Sequence, residues 1–544
     1  MPGPSAGETY TYETYGKEIK LTDTINSMPR SFGQFGEVVE FNTGSLVFNK
    51  TLVELRGNNN LRVAADFILS ISDQLDVAPY YKFTRALPYL QGIHSEQRGW
   101  VVGSEGAGFT TQRCSHPSTQ GVASIIRSLK PQRYNYYPED YWDGNQLVGV
   151  EGGGLIYRHI DSWPSINGLN TPWQTNGGWL FSCYILPDGS EGFIGHSPDG
   201  MKYYFGIPVA ENGGLSIQSN GQGESQTFLD VMLYKMYVTK IEDRFGNWVK
   251  YEPNRIISND GRVINFNYTD NSIAVTANDR SWNISMGVES SWVRVVNPDQ
   301  SIWSVSQSGN ISPYPRSPVS ECQSQVGTHA EYTGQIVILI TLESGLKGTF
   351  TLQPRRHGYS YVGFDCRYIT PYVKFTETRN FVDEISLVSR VVEGPAVLPS
   401  HTFVDYGPVN ACFTGVNSPD ACANDSPDTR TVTATESDGS FVQYVFGNRM
   451  HVNSGLLLSK NISNLRADLY KYEQVHANSM GWGKRKMYSV ADYSINVVKE
   501  RITVQSGRKF LWQIASDCGN DSSNLCIDEY FRPIKIIKSS MPSQ

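Results

Sequence analysis

Ile241-Glu242-Asp243-Arg244-Phe245-Gly246-Asn247-Trp248-Val249-Lys250-Tyr251 reads as a turn that opens into a strand. Asp, Gly and Asn bend the chain, and Trp, Val and Tyr then follow with the composition of a pleated surface. The event recurs. Turn-forming Asp243, Asp260, Asp279 and Asp299 are separated by 17, 19 and 20 residues. Each precedes a strand-like stretch carrying an aromatic: residues 247–251, 262–268, 281–284 and 301–305. About twenty residues make one β-hairpin, so the period predicts a meander of hairpins laid side by side. The expected fold class is all-β.

Composition agrees. The chain has 544 residues, 39% of them hydrophobic, 12% aromatic and 18% charged, with 31 Tyr and 50 Gly. Such aromatic content excludes a disordered chain, and the shortage of charge excludes a long coiled coil. The length suits two to four units or one extended repeat structure. The net charge is −7, from 46 Lys and Arg against 53 Asp and Glu, which gives no reason to expect nucleic acid or an anionic membrane as partner. The longest aliphatic run, Ile336 to Ile340, falls far short of the roughly 18 residues of a membrane helix. Met1 to Gly7 contain no basic start or apolar stretch, so no signal peptide is expected in the chain as given.

Outward from the periodic segment, the texture changes. Residues 38–41, 46–48, 52–55 and 61–63 alternate as strands, with a turn at Arg56-Gly57-Asn58-Asn59-Asn60. Val122, Ile125, Ile126 and Leu129 fall at helical spacing before Pro131, which predicts a helix over 122–129. Residues 465–476 fit either a strand or a helix face. Residues 131–183 interleave aromatics with Asn, Asp and Gly, including Tyr136, Tyr137, Tyr141, Trp142, Trp163, Trp173 and Trp179. Flat rings of this kind stack on sugar faces, or plug a large sheet.

Eight cysteines are present. Cys412 with Cys422 and Cys518 with Cys526 lie in polar segments without core-forming residues, where short disulfide-closed loops restrict the unfolded chain. Cys322 with Cys366 is the next expected pair, and Cys114 with Cys183 is left by remainder. Oxidised pairs imply export, to the cell exterior or envelope. Chemistry is otherwise sparse. The nine histidines show no metal-ligand spacing, and no phosphate loop, nucleophile elbow or calcium loop occurs. The adjacent carboxylates Asp383-Glu384 and Glu139-Asp140 face opposite sides of a strand and make no acid/base pair. Arg355-Arg356-His357, the densest basic spot, reads as a solvated strand end. No metal, cofactor or catalytic residue is expected.

The periodic segments resemble the Rhs, or YD-repeat, family. Ser197-Pro198-Asp199-Gly200 leading to Tyr203-Tyr204-Phe205, the Asp243-Arg244-Phe245-Gly246-Asn247 element, and Asp260-Gly261-Arg262 within residues 256–268 are similar to its repeats. So are Ser437-Asp438-Gly439-Ser440 with Tyr444, and Tyr530-Phe531-Arg532-Pro533; Gly57-Asn58-Asn59 before Leu61-Arg62-Val63 is similar to the opening of the same proteins. The resemblance runs from about residue 36 to 538 and implies a β-sheet spiralling into a hollow shell. The family's downstream core, with its self-cleavage motif, and its C-terminal passenger are not found here, so toxin delivery is not carried over.

The expected organisation is an extension over 1–35, a β region over 36–185 with the aromatic segment, YD-repeat-like hairpins over 186–310, a β region with cysteine loops over 311–430, and further hairpins over 431–544. The expected function is that of an exported, non-catalytic β-shell acting by structure or assembly. Its partners would be a downstream Rhs portion or other copies, joined when the strand bearing Tyr10, Tyr12 and Tyr15 pairs with an open edge of another copy; the competing expectation is that residues 9–15 tuck onto their own sheet or form a disordered tail. The alternative is a glycan-binding or glycan-cleaving module that uses residues 133–179, with Tyr136, Tyr137, Tyr141 and Trp142 in contact.

Overall fold

The computed structural model describes residues 32–71, 81–104, 108–116, 127–128, 144–159, 165–166, 168–175, 177–211, 215–219, 227–313, 332–363, 380–395, 397–414, 421–423, 426–450, 452–463, 465–476, 480–481, 494–518, 525–528 and 531–542. They are almost entirely antiparallel β, and the single helical element among them is a 3-10 turn, Val288–Ser290.

The turns explain why. Loops 186–190, 197–201, 243–247, 258–262, 297–301, 342–346 and 436–440 share one geometry. The first residue's N–H donates to the last residue's carbonyl, and the fourth residue's N–H donates back to the first carbonyl. The fourth residue is left-handed in each, and it is Gly everywhere except Gln300, with φ of 68°. This is the short hairpin loop whose αL residue favours glycine. Aspartate locks it: Asp243 Oδ1 accepts the N–H groups of Phe245 and Asn247 at 2.8 and 2.9 Å. Asp279 departs from the pattern. With Asn278 it forms a two-residue turn between Ala277 and Arg280, both residues at positive φ. All four aspartate turns nevertheless lie at the same ends of the strands, because each twenty-residue period holds two strands and a return turn at the opposite rim.

The sheet closes on itself once and then continues. Strand β5 (Tyr89–Ser95) pairs with Asn145–Val148, and Gly154–His159, Trp173–Thr175, Leu180–Ile185, Glu191–His196, Lys202–Phe205 and Thr227–Glu242 follow, the last returning to β5. The last strand is 16 residues long. It pairs with β5 through residues 231–237 and with Trp248–Glu252 through residues 240–242. The sheet therefore runs from the ring into a meander that ends at Ile536–Pro542, as a spiral does. Gly154–His159 also pairs with Met480–Gly481, which ties a late part of the meander back to the ring.

The ring is filled by Leu90, Trp100, Ile156, Trp173, Phe181, Phe193 and Phe205, all buried. A second sheet of β1 (Glu37–Glu40), β2 (Ser45–Leu55), β3 (Val63–Ile71) and β4 (Tyr81–Arg85) lies against the meander. Alternate residues turn one face to it: Phe48 meets Phe350 at 4.8 Å between centroids, Phe67 meets Phe266 at 6.4 Å and Phe83 meets Trp303 at 5.8 Å. Burying such side chains contributes roughly 1.5–3 kcal/mol each. The outer edge of β4 is closed by a side chain that imitates a strand. Gln307 Oε1 accepts the Tyr81 N–H at 3.2 Å, and its Nε2 donates to the Tyr81 carbonyl at 3.0 Å.

Local expectations meet mixed outcomes. Residues 46–48 and 52–55 form one strand with a register shift between Thr51 and Val53 instead of two. Arg127–Ser128 pair with Thr227 and Phe228 as strand, so the end of the expected 122–129 helix is extended; residues 122–126 and 129 lie outside the described residues. The ambiguous 465–476 segment is the strand Arg466–His476, fixed by pairing along its length with Ser494–Gln505.

Candidate functional site

A cleft of about 1910 Å³ separates β1–β4 from the ring. One wall is the face of the small sheet turned away from the meander, where the pleat places Asn49, Thr51, Ser70 and Thr84 beside Val38, Val47 and Ile68. The other wall comes from the ring. Tyr89 and Tyr237 are direct cross-strand partners with rings 5.5 Å apart, edge to face. Lys235, two residues before Tyr237 and therefore on the same face, lays its ammonium 4.7 Å from the Tyr89 centroid. The Tyr237 hydroxyl donates to Glu211 at 2.6 Å. Tyr251, Tyr268 and Glu384 complete the lining from the meander.

The electrostatics are balanced. Arg62, Lys82, Arg85 and Lys235 face Asp66, Glu151, Asp199, Glu211 and Glu384. Arg62 is tied to Asp66 and to Glu54, and Arg85 Nη1 donates to the carbonyls of Glu252 and Pro253 at 3.0 and 3.1 Å. Burial pushes the Glu384 carboxyl up, and neighbouring Asp383 adds to the effect. Burial likewise pushes the Tyr251 hydroxyl up.

The sequence's glycine run has a physical reason here. A Cβ on Gly177 would lie 2.2 Å from Gly152 Cα, so the two backbones touch. That contact seats Trp179, whose Nε1 donates to the Glu151 carbonyl at 2.8 Å. Trp173 is 0% exposed and Trp179 2% exposed, so these two fill the ring and offer no open stacking face. Tyr136, Tyr137, Tyr141 and Trp142 lie outside the described residues, as do Trp163, Glu139-Asp140 and the strand of Tyr10, Tyr12 and Tyr15.

Two motifs far apart in sequence meet. Arg262 Nη1 donates to the carbonyls of Leu55 and Leu61, both at 3.0 Å, and Nη2 to Asn59 Oδ1 at 2.9 Å. Asp260 accepts from Arg262 and from the Asn58 N–H at 3.3 Å. The Arg262 guanidinium holds the Asp260 carboxyl well below the usual carboxylate range. The Gly57-Asn58-Asn59 turn and the Asp260-Gly261-Arg262 turn are thus one joint between the two sheets.

In the basic spot at 355–357, Arg355 is exposed as expected, but Arg356 and His357 depart from the solvated role. Arg356 pairs with Asp383 through two parallel bonds of 2.9 and 2.8 Å, both side chains 5% exposed, and stacks 3.5 Å from the Phe381 centroid. His357 is buried beside Ser386, 3.0 Å away, and burial pulls it down to about 4. The neighbouring strand Phe381–Gly394 covers both groups, which the sequence around 355 gives no means to foresee.

Disulfides join Cys412 to Cys422, Cys518 to Cys526 and Cys114 to Cys183. Cys322 and Cys366 lie outside the described residues. Asp517 stands beside Cys518 and Cys526, but both sulfurs are committed to their bridge. The disulfides are compatible with an extracellular or envelope location. Among the described residues no helix is long and apolar enough to cross a membrane. The cleft residues Tyr89, Lys235, Glu211 and Tyr237 escaped the sequence reading, because only the ring's strand register brings them together. Compared with known proteins, the chain matches no family model and no curated protein.

Proposed function

We propose that the chain is an exported, non-catalytic scaffold of the Rhs, or YD-repeat, type, acting by its shell architecture and by assembly with a downstream Rhs portion or with other copies of itself. The observation that carries this reading is the passage of a closed ring into a continuous antiparallel meander, with β1–β4 packed against one face of it. A sheet of this length curls with its own twist, and the loops 197–201, 243–247, 258–262, 342–346 and 436–440 repeat along one rim. The Rhs-like turns are also the points that join the two sheets. The burial of Trp173 and Trp179 favours this reading over a glycan platform in residues 133–179.

Negative-stain images of the purified chain test it. Curved, hollow particles, alone or joined end to end, are the expected result. Solid particles would refute the shell. Hydrolysis of a polysaccharide, abolished by one Asp or Glu substitution, would refute the non-catalytic role.

A further inference from the structure

We infer that the cleft between β1–β4 and the ring is a binding site for an uncharged oligosaccharide. Its size is the first ground. At about 1910 Å³ it is nearly twice the upper end of ordinary small-molecule pockets, roughly 300–1,000 Å³, so it suits an oligomer. Its charge is the second. The four cations and five carboxylates of the lining are mixed in sign, and Arg62, Arg85, Lys235 and Glu211 are engaged by the protein's own groups. A polyanion or polycation would find no single-sign field there.

Its chemistry is the third ground. The small-sheet wall offers neutral donors and acceptors, the amide of Asn49 and the hydroxyls of Ser70 and Thr84. The facing wall offers tyrosine rings. Tyr237 and Tyr268 carry flat apolar faces with polar rims, which match a ring that is apolar above and below and hydroxylated at its edge. Tyr268 is 45% exposed and stands parallel to Phe266, at 19° between planes and 6.2 Å between centroids, so its ring is open to a ligand. Over Phe67–Leu69, strand β3 is paired with β2 on one edge and β4 on the other, so the centre of this floor presents side chains and no free main chain for an added peptide strand.

Isothermal titration of the full chain tests the site, with uncharged hexasaccharides of β-1,4-glucose, α-1,4-glucose, β-1,4-xylose and β-1,4-N-acetylglucosamine, beside a heparin hexasaccharide and a Gly/Ser peptide. At least one uncharged sugar is expected to bind with a Kd below about 1 mM, and the heparin and peptide are not. Tyr268→Ala and Tyr237→Ala should each weaken binding about tenfold, while Tyr237→Phe, which keeps the ring, stays within about threefold. Circular dichroism checks that each variant is folded, and Tyr268→Ala, at an exposed ring, serves if Tyr237→Ala does not fold. The inference is overturned if no uncharged hexasaccharide binds at about 5 mM, if heparin or the peptide binds in their place, or if the alanine variants leave binding unchanged.

Discussion

Replacing Arg390 by Met should undock the N-terminal sheet while leaving the ring intact. Arg390 and Glu37 are both 0% exposed, with Nη2 2.9 Å and Nε 3.1 Å from Glu37 Oε1. The other carboxylate oxygen accepts the Phe35 N–H at 2.7 Å. Around the guanidinium stand Phe32, Phe35 and Phe350, with centroids at 5.2, 5.7 and 5.7 Å. Arg390→Met would leave a carboxylate in an apolar pocket without its cation, a change that costs about 3–5 kcal/mol. That corresponds to roughly 10²- to 10⁴-fold in the docking equilibrium. The loss falls on docking because the pair joins residue 37 of the small sheet to residue 390 of the meander. Glu37→Met with Arg390→Met replaces the pair by apolar volume among three phenylalanines and should return to within about 1 kcal/mol of the parent. Hydrogen exchange reads this directly: amides of β1 and β2 accelerate in the single variant, those of Leu180–Ile185 and Glu191–His196 do not, and the double variant restores protection. A single variant within about threefold of the parent, or a double variant no better than the worse single, would refute the reasoning.

Gln307→Leu removes the imitation strand partner of Tyr81 and should cost about 1–3 kcal/mol, seen as faster exchange confined to residues 81–83. Replacing Cys412 and Cys422 by Ser opens a loop of sequence separation 10, which in the chain-entropy model costs about 2.5–3 kcal/mol, measurable by urea denaturation; an unchanged midpoint would contradict it. His357 and His196 are each pulled down by burial to about 4, so the unfolded chain binds protons first as pH falls. Their contribution is complete above about pH 6.5 and is lost as pH drops through about 4, worth up to about 3 kcal/mol per histidine. His357→Gln should flatten that part of the stability-against-pH curve, and a curve unchanged in shape would exclude His357 as a source.

The hairpins were legible because their information is local. Asp243, Gly246 and Asn247 specify a loop within five positions, and the loop fixes the register of the strands beside it. The sulfur pairs 412–422 and 518–526 were legible for the same reason. Local sequence is silent where a distant segment decides. Arg356 looks solvated until Asp383 is laid against it, and Trp173 looks like a platform until the ring closes around it. Asp260 and Asn59 each announced a turn, and nothing within either announced the other. The cleft is the extreme case: its lining reaches from Val38 to Glu384, and each wall alone has the pattern of an ordinary half-buried strand.

The seating of β1–β4 on the meander has a consequence for how the chain acquires its structure. Phe48, Phe67 and Phe83 belong to strands made early, yet their partners Phe350, Phe266 and Trp303 are made some 200 to 300 residues later. The meander can zip hairpin by hairpin from neighbouring contacts, whereas docking of the small sheet must close a very long loop before any contact repays it. During synthesis the small sheet therefore carries an uncovered aromatic face until the meander face that receives it exists. The small sheet thus waits for strands made long after its own, and that interval is when its aromatic face is most exposed to aggregation.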